Sequence, residues 1–496
     1  METSDEQAVR TKKREQLLAL GIDAYPCDVQ RTHTCRDASE NFEQLKDTAA
    51  SLVLAGRVRS IRRHGGSAFL SIEDGTASMQ LFCRRDALGD GYTLITDFID
   101  IGDFIEATGT LMLTKTEEKT LAATTIRMLS KALRPLPEQW HGLSDVEQRY
   151  RHRELDLLAN PEVRERFIIR SRIISALRRY LDESGFMEVE TPILQSIPGG
   201  ASARPFITHH NTLDADFYLR IAPELYLKRL IIGGFEKVYE IGRLFRNEGI
   251  DHAHSPEFSE IEFYWAYVPT KNVFVSFLEE MVRNVMRSAI GTLLITSKDG
   301  MLDFSTEWKR MTFREAIIEH AGIDIDLYRT EDTLTAAVKK RGLDIAFETC
   351  VGIGEHYDQL YKKTARPALQ EPTWVFDYPL ELKPLTKASP DDPTKSASVQ
   401  LLVGGSEIIN AYYHELNDPV DQRNRFLEQE ALRVDGSVDA QCLDEEFLFA
   451  LEHGMPPTSG MGMGIDRLVM LFTGAINIKE VILFPTLKPK GVGDTL

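Results

Sequence analysis

Residues that can bind phosphates are concentrated in the segment FRNEGIDHAHSPEFSEIEFY, which spans residues 245–264. The segment contains two strand-like stretches joined by a loop. Because side chains alternate along a strand, Arg246 and Glu248 are expected on one face, beside the loop residue His254. An arginine can hold an α-phosphate, and an imidazole can face the distal phosphates. The first half of the segment therefore predicts a phosphate site.

The second half of the same segment combines an aromatic ring with a carboxylate. Phe258, Glu262 and Tyr264 fall on one face by the same alternation. A ring on this face can stack on a nucleobase. Since charged and apolar residues alternate on both strands, we predict the floor of a nucleotide site. A hairpin with a solvated outer face is the alternative.

Two further segments complete this set. GMGMGIDRLVMLFTG, residues 460–474, is typical of a glycine-rich strand followed by a helix with Arg467 in its first turn. Glycine lets the backbone approach a ligand closely, and the arginine can lie against adenine; a tightly packed strand–helix unit is the alternative. GFMEVETPIL, residues 185–194, indicates a strand ending at Pro192, which suits either subunit packing or the core.

Residues 51–132 favour a small β-domain that could read single-stranded RNA. Short alternating stretches separated by turns predict about five strands of an OB-fold. Phe69 and Gln80 are expected on neighbouring strands, with Arg62 and Arg63 just upstream. Stacking on aromatic rings, amide contacts to base edges and arginine contacts are how proteins read such RNA. A barrel-core Phe69 with a solvated Gln80 is the alternative.

The elements that must position these residues indicate an α+β protein. We predict an N-terminal helical arm at 1–48, an OB-fold barrel at 49–132, a linker at 133–151 and a long α+β domain at 152–496. Strand-like runs in the long domain include KVYEIGRLF, FSEIEFYWAY and a VILFP near the end, and the stretch 305–370 is predicted as a helical insertion. The arm is either solvated or in contact with RNA.

Composition excludes several classes of protein. Of 496 residues, 43% are hydrophobic and 27% are charged, which is typical of a globular chain and excludes disorder. No apolar run reaches the roughly 18 residues of a membrane span, and the charged N-terminus lacks the apolar core of a secretory signal. The five cysteines are widely spaced, which favours a reducing cytoplasm over disulfides or a cysteine zinc site. With a net charge of −18, RNA must bind through local basic and aromatic patches.

The three segments at 185–194, 245–264 and 460–474, in this order, resemble the three motifs of class II aminoacyl-tRNA synthetases. The finer resemblance, to lysyl-tRNA synthetases of the bacterial and eukaryotic type, covers nearly the whole chain and includes GSEIINAYYHELNDPVDQRNRFLEQ. It implies an anticodon-binding OB domain followed by a catalytic domain with an antiparallel sheet of six or seven strands. It also implies activation of lysine by ATP with Mg²⁺, transfer to tRNA(Lys), a cytoplasmic enzyme and a homodimer formed around Pro192.

The resemblance also implies roles for individual residues. The ATP site comprises Arg246, Glu248, His254, Phe258 and Arg467, with Arg246 and Arg467 as catalytic clamps and with adenine between Phe258 and Arg467. The lysine pocket comprises Gly200 and Glu224 at the α-amino group, Arg246 at the carboxylate, and Glu262, Tyr264, Asn410, Tyr412 and Glu415 around the side chain. The metal ligands are Gln400 and Glu407, and the anticodon residues are Arg62, Phe69 and Gln80.

The sequence departs from the family pattern in four places. Ala253 and Ser255 replace the usual arginine and asparagine of the ATP loop. Gln400 replaces the usual second magnesium-binding glutamate and so removes one negative charge. The stretch 411–415 is one residue longer than usual, so Tyr412, Tyr413, His414 and Glu415 compete for the pocket positions.

Two other functions remain open at this stage. A synthetase paralogue could acylate an acceptor other than tRNA, although an OB domain with Arg62, Phe69 and Gln80 argues against it. A non-catalytic tRNA-binding scaffold would explain Ala253 and Gln400. It would not explain why the other site residues are all present, namely Arg246, Glu248, His254, Phe258, Glu407 and Arg467. Lysine-dependent exchange between pyrophosphate and ATP, followed by tRNA charging, separates all three.

Overall fold

The computed structural model describes residues 5–136, 145–297, 300–434 and 440–489. The chain divides into two compact units, one comprising Met1–Ser144 with Pro489–Leu496 and the other Asp145–Lys488. The middle of the predicted linker, 137–144, lies outside the described residues, as do residues 1–4 of the predicted arm. The last part of that linker is helical and belongs to the second unit.

The first unit is a closed five-stranded barrel. Its strands are β1 Leu52–His64, β2 Ser67–Glu73, β3 Ser78–Arg84, β4 Phe104–Leu113 and β5 Lys119–Ser130, and its helices are α1 Asp5–Ala19, α2 Cys35–Glu40, α3 Phe42–Asp47 and α4 Arg85–Leu88. The barrel closes in the order β1-β2-β3-β5-β4, with β4 pairing back onto β1. One pairing, β3 with β5, is parallel. The predicted OB-fold is confirmed.

Helix α1 packs on this barrel instead of forming a solvated arm. Leu17 is fully buried in the barrel's hydrophobic cluster. Arg10 donates to the carbonyl of Ile101 at 3.0 Å, and Lys13 pairs with Asp100 at 2.6 Å. The positive charges that suggested contact with RNA are therefore partly used within the unit.

The second unit contains the large sheet and its helices. Its strands are β6 Met187–Glu188, β7 Leu194–Gln195, β8 Ile207–His210, β9 Ala215–Leu219, β10 Lys237–Phe245, β11 Glu257–Ala266, β12 Leu294–Ser297, β13 Gly300–Asp303, β14 Lys309–Thr312, β15 Thr373–Phe376, β16 Ser398–Val403, β17 Ser406–Tyr412 and β18 Thr458–Gly464. Its helices are α5 Val146–Arg151, α6 Arg153–Ala159, α7 Pro161–Glu183, α8 Glu224–Ile232, α9 Lys271–Ile290, α10 Phe313–Ala321, α11 Glu331–Lys340, α12 Gly352–Lys363, α13 Pro419–Val434, α14 Glu445–Leu451 and α15 Ile465–Thr473.

The main sheet has eight strands in the order β14-β15-β16-β17-β18-β11-β10-β6. The six central strands are antiparallel, whereas the edge strands β14 and β6 run parallel to their neighbours. The α+β class is confirmed: the six antiparallel strands agree with the expected antiparallel sheet, and the two short parallel edge strands extend it to eight. The strand β14 also lies inside 305–370, so that stretch is not purely helical.

Alternation along the central strands separates a core face from an open face. Ile261 and Phe263 of β11 are fully buried in the cluster that also contains Leu177 of α7 and Leu278 of α9. Their neighbours Glu260, Glu262 and Tyr264 therefore project from the opposite face, where a cavity lies. The predicted VILFP strand is wrong: 481–485 is irregular chain that follows a short turn and buries Val481.

Among the described residues, no helix is both long enough and apolar enough to span a membrane.

Candidate active site

The open face of the sheet forms the floor of a cavity of about 2150 Å³. Every residue predicted for the ATP, lysine and metal sites lines it: Gly200, Glu224, Arg246, Glu248, His254, Phe258, Glu262, Tyr264, Gln400, Glu407, Asn410, Tyr412, Glu415 and Arg467. They come from β10–β11, β16–β18, α8, α15 and the loops between them. The fold thus brings together side chains that are far apart in the sequence.

Glycines on β18 make room for the side chains of the cavity floor. Met461 and Met463 point into the core, so the alternating glycines face the cavity. A Cβ on Gly462 would lie 2.7 Å from Glu260 Oε1, and one on Gly460 would collide with the Glu415 carboxylate and the Tyr264 ring. The glycine-rich strand is therefore required by the packing of cavity side chains, in addition to any close approach of a ligand.

Arg246 lines the cavity at the end of β10. It lies just beyond the strand, in the 246–256 loop, so its predicted shared strand face with Glu248 is wrong. Its guanidinium lies 4.9 Å from the centre of the Phe258 ring. It donates to the carbonyl of Ile221 at 3.4 Å, while its buried Nε has no hydrogen-bond partner among the residues described. The unpaired donor suits an anionic ligand.

Arg467 lies between Glu407 and His254, two residues predicted to contact the metal and the phosphates. Its Nη1 donates to the Glu407 carbonyl at 3.3 Å and lies 3.8 Å from the Glu407 carboxylate. Its Nη2 is 3.3 Å from Nε2 of His254, whose Nδ1 lies 2.9 Å from Asp251. The structure places Arg246, and not Arg467, over the Phe258 ring. The adenine sandwich between Phe258 and Arg467 remains a prediction.

Four carboxyl groups enclose the part of the cavity predicted to hold lysine: Glu224, Glu260, Glu262 and Glu415. Burial raises the pKa of Glu262 well above its usual range, and the neighbouring Glu260 and Glu224 add to this effect. Its carboxylate accepts a hydrogen bond from the Tyr264 hydroxyl at 3.2 Å. It forms no ion pair with any described residue. Glu262 is therefore the carboxylate that still needs a cation.

Glu415, by contrast, already has a cation from within the chain. Lys228 is fully buried and places its Nζ 2.6 Å from Glu224 Oε1 and 2.7 Å from Glu415 Oε2. Although burial lowers the pKa of Lys228, the two carboxylates hold it above its usual value. Burial raises the pKa of Glu415 to about 8 against the opposing effect of Lys228. Lys228 was not predicted, because one lysine on an amphipathic helix gives no functional signal.

The longer stretch 411–415 places alternate side chains on different sides. Tyr412 and Glu415 line the cavity. Tyr413 is buried in the core cluster and donates to Asp377 Oδ1 at 2.7 Å, and His414 lies beside it. Of the four competing positions, the structure brings Tyr412 and Glu415 to the predicted pocket.

The comparisons with known proteins agree with this arrangement. A family model described as class II tRNA synthetases (D, K and N) matches residues 145–488, and one described as an OB-fold nucleic acid binding domain matches 52–129. The lysine–tRNA ligase of Carboxydothermus hydrogenoformans is 46% identical over 97% of this chain and 98% of its own length. That of Roseiflexus castenholzii is 47% identical over 99% of this chain and 100% of its own.

The chain belongs to the lysine–tRNA ligase family of class II tRNA synthetases. Its cavity departs from the family expectation at Gln400. The side-chain oxygen of Gln400 accepts from the Tyr378 hydroxyl at 2.6 Å, and its nitrogen donates to Asn410 at 3.2 Å. In this member of the family Gln400 is held in a hydrogen-bond network with Tyr378 and Asn410, and its role as a metal ligand stays a prediction.

Two further cavity residues were missed by the sequence prediction. Glu260 lies between Phe258 and Glu262 on the same face of β11, so the alternation used for its neighbours could have found it. Lys383 lies in a segment without periodicity and donates to Asn410 Oδ1 at 2.9 Å. Only the fold reveals that this lysine reaches the cavity.

The anticodon residues predicted for the lysine–tRNA ligase family share the outer face of the barrel. Arg62 pairs with Phe69 across β1–β2, and Phe69 pairs with Phe82 across β2–β3. The two rings stack with centres 4.8 Å apart, whereas Leu70 points inward and is fully buried. Phe69 is therefore not a core residue, and Phe82 extends the aromatic surface.

Gln80 lies on the same side of β3 as Phe82, two residues away. It is mostly buried, and its carbonyl oxygen accepts from Thr120 at 2.9 Å. The alternative of a solvated Gln80 is thus wrong. A fixed amide beside stacked rings is suited to recognising a base edge.

Proposed function

We propose that this enzyme activates L-lysine with ATP and transfers the lysyl group to the 3′ end of tRNA(Lys). The observation that carries the proposal is the buried Glu262, which has no cation partner in the described part of the chain and shares one cavity with Arg246 and Arg467. A long cationic side chain fits the carboxyl group and the Tyr264 ring. The two arginines of this cavity can bind the phosphates and the substrate carboxylate.

In the first reaction an oxygen of the lysine carboxylate forms a bond to the α-phosphorus of ATP. The bond between this phosphorus and the oxygen bridging to the β-phosphate breaks, and pyrophosphate leaves. No general base is required because the attacking carboxylate is already ionised. Arg246 holds the α-phosphate and the carboxylate in line, so the rate depends on positioning and charge neutralisation. Glu248, His254 and Phe258 contact the remainder of ATP.

In the second reaction the terminal adenosine hydroxyl of tRNA attacks the lysyl carbonyl carbon. An ester bond forms, the bond between the carbonyl carbon and the phosphate oxygen breaks, and AMP leaves with that oxygen. The hydroxyl proton passes to the departing phosphate. Gly200 and Glu224 hold the α-amino group, while Asn410 and Tyr412 line the side-chain pocket. These contacts keep the carbonyl fixed for attack.

Mg²⁺ fits beside Glu407. Within the described ranges no three His, Cys, Asp or Glu residues form a metal cage. This is compatible with Mg²⁺, which is commonly bound through one or two carboxylates together with substrate phosphates. The Glu407 carboxylate is about one-third exposed and faces the arginine of the phosphate region. When bound there, the ion would neutralise charge on the phosphate oxygens.

The decisive experiment is pyrophosphate–ATP exchange measured with each of the twenty amino acids, followed by charging of tRNA(Lys). We expect exchange with lysine and esterification of tRNA(Lys). Exchange without tRNA charging would identify an enzyme that acylates another acceptor, and absence of both would identify a non-catalytic tRNA-binding scaffold. Exchange with a neutral amino acid but not with lysine would contradict the role of Glu262.

Phe69→Ala tests anticodon reading separately from chemistry. Loss of a stacking platform worth about 1–3 kcal/mol per base should slow charging roughly ten- to a hundredfold at limiting tRNA. Lysine-dependent exchange should stay near wild type because Phe69 belongs to the other unit. Phe69→Tyr, which keeps the ring, should charge tRNA almost normally. Equal loss of exchange and charging in a folded Phe69→Ala protein would show that the ring has no RNA-binding role.

We also propose that the enzyme is a cytoplasmic homodimer that packs around Pro192. Pro192 is exposed, and so are the apolar side chains of Met187, Ile193 and Leu194. Such a cluster is typical of a surface covered by another chain. Sedimentation of the full protein should give twice 56.2 kDa, and Leu194→Glu should shift the mass towards one chain. A monomeric wild-type protein would contradict the proposal.

A further inference from the structure

Lys383 is a cavity cation to which the family resemblance assigns no role. Its Nζ donates to Asn410 Oδ1 at 2.9 Å. It also lies 5.1 Å from the centre of the Tyr378 ring and 5.8 Å from that of Tyr412. These contacts hold the ammonium in place at the cavity wall.

No described carboxylate forms an ion pair with Lys383. Burial lowers its pKa, against the opposing influence of Glu407, Asp358 and Glu224, in that order. A desolvated ammonium without an anionic partner is costly for the empty protein. An anionic ligand in the cavity would provide that partner. The contact with Asn410 places the ammonium beside the side chain of Gln400, the position at which the family resemblance expects a metal ligand.

Gln400 explains why this charge remains available. Its amide nitrogen and Lys383 Nζ donate to the same oxygen of Asn410, so the two side chains are close neighbours. A glutamate at position 400 could pair with the ammonium or bind a metal. The neutral amide brings no negative charge for either purpose, and its oxygen already accepts from the Tyr378 hydroxyl. This part of the site therefore has one carboxylate fewer and one free cation.

We propose that Lys383 binds the phosphate chain of ATP and does there what a metal ion held by a carboxylate at position 400 would do. The inference rests on the proposed function. A lysine is a suitable phosphate ligand because its ammonium is a compact point charge that needs no particular ligand plane. The enzyme should consequently retain part of its ATP affinity without divalent metal.

Calorimetric titration of the full-length enzyme with ATP in excess EDTA tests this directly. Loss of a charge-assisted contact should weaken metal-free ATP binding roughly ten- to a hundredfold in Lys383→Gln. Lys383→Arg should retain most of the affinity. Lys387→Gln is the matched control: this lysine is exposed in the same segment, bonds Asn417 and does not line the cavity. Its affinity should equal that of wild type.

A double variant that removes the positive charge at position 383 and adds a negative charge at position 400 provides a second test. Lys383→Gln combined with Gln400→Glu should recover ATP binding only when metal is present. With ATP bound, this double variant should hold more Mn²⁺, counted by electron paramagnetic resonance, than wild type. Unchanged metal-free ATP affinity in Lys383→Gln would overturn the inference, as would a raised lysine KM with normal ATP binding. Failure of wild type to exchange with lysine would instead contradict the proposed function, whatever the EDTA titrations show.

Discussion

Arg467→Ala is expected to lower lysine-dependent pyrophosphate exchange by roughly a hundred- to a thousandfold, the usual effect of removing one charge-stabilising donor from a transition state. Binding of tRNA should remain measurable, because the proposed anticodon residues belong to the other unit. The exchange rate at saturating ATP and lysine and a filter-binding assay with tRNA measure the two effects separately.

The physical reason is that Arg467 contacts both Glu407 and His254. Its removal withdraws positive charge from the distal phosphates and releases the carboxylate proposed to hold Mg²⁺. Arg467→Lys should recover only part of the rate, since an ammonium cannot make two parallel contacts. Arg287→Ala is the control, because this arginine is half-exposed on α9 and pairs with Glu280 outside the cavity. Near-normal exchange by a folded Arg467→Ala protein would exclude Arg467 from the chemistry.

The strands that carry the site could be predicted closely from the sequence. KVYEIGRLF, residues 237–245, forms β10 without a change of boundary, and the second strand differs by one residue at each end. Apolar and polar residues alternate strongly along both strands, because one face packs on helices and the other faces the cavity. That alternation correctly grouped Phe258, Glu262 and Tyr264. It failed for Arg246 and Glu248 because the strand ends before them.

The charge balance of the lysine pocket could not be predicted in this way. Lys228 meets Glu415 only because α8 packs against β10 and β11 of the main sheet, and no spacing in the sequence records that contact. Lys383 reaches the cavity from an irregular segment for the same reason. The prediction of a strand at VILFP, residues 481–485, failed for another reason. The segment is apolar enough for a strand, but Val481 is buried by side-chain packing and not by pairing in a sheet.

These contacts divide the four glutamates into two kinds. Glu224 and Glu415 share the ammonium of Lys228, so the chain itself satisfies much of their need for a cation. Glu260 lies towards Arg246, which favours its ionised form against the effect of burial. Glu262 faces other carboxyl groups and a tyrosine hydroxyl. Of the four carboxyl groups, Glu262 is thus the one expected to bind the side-chain ammonium of substrate lysine.

Glu262→Gln should therefore reduce kcat/KM for lysine by about two to three and a half orders of magnitude, which corresponds to the roughly 3–5 kcal/mol lost when one partner of a buried ion pair is removed. The KM for ATP should change little. Glu415→Gln should have a smaller effect on lysine use, because Lys228 and not the substrate is its nearest cation. Glu257→Gln on the same strand is the control, since that side chain is exposed and lies outside the cavity.

The pH dependence of lysine binding gives this prediction a second measurement. Because the pKa of Glu262 is raised in the empty site, the group is protonated there at pH values where an ordinary carboxyl is ionised. The arriving ammonium favours the ionised form, so binding releases a proton and lysine affinity should increase as pH rises through the free-enzyme pKa. Glu262→Gln should remove this increase, whereas Glu257→Gln should keep it. A wild-type affinity that falls with rising pH over that interval would show that Glu262 is not the group that binds the lysine side chain.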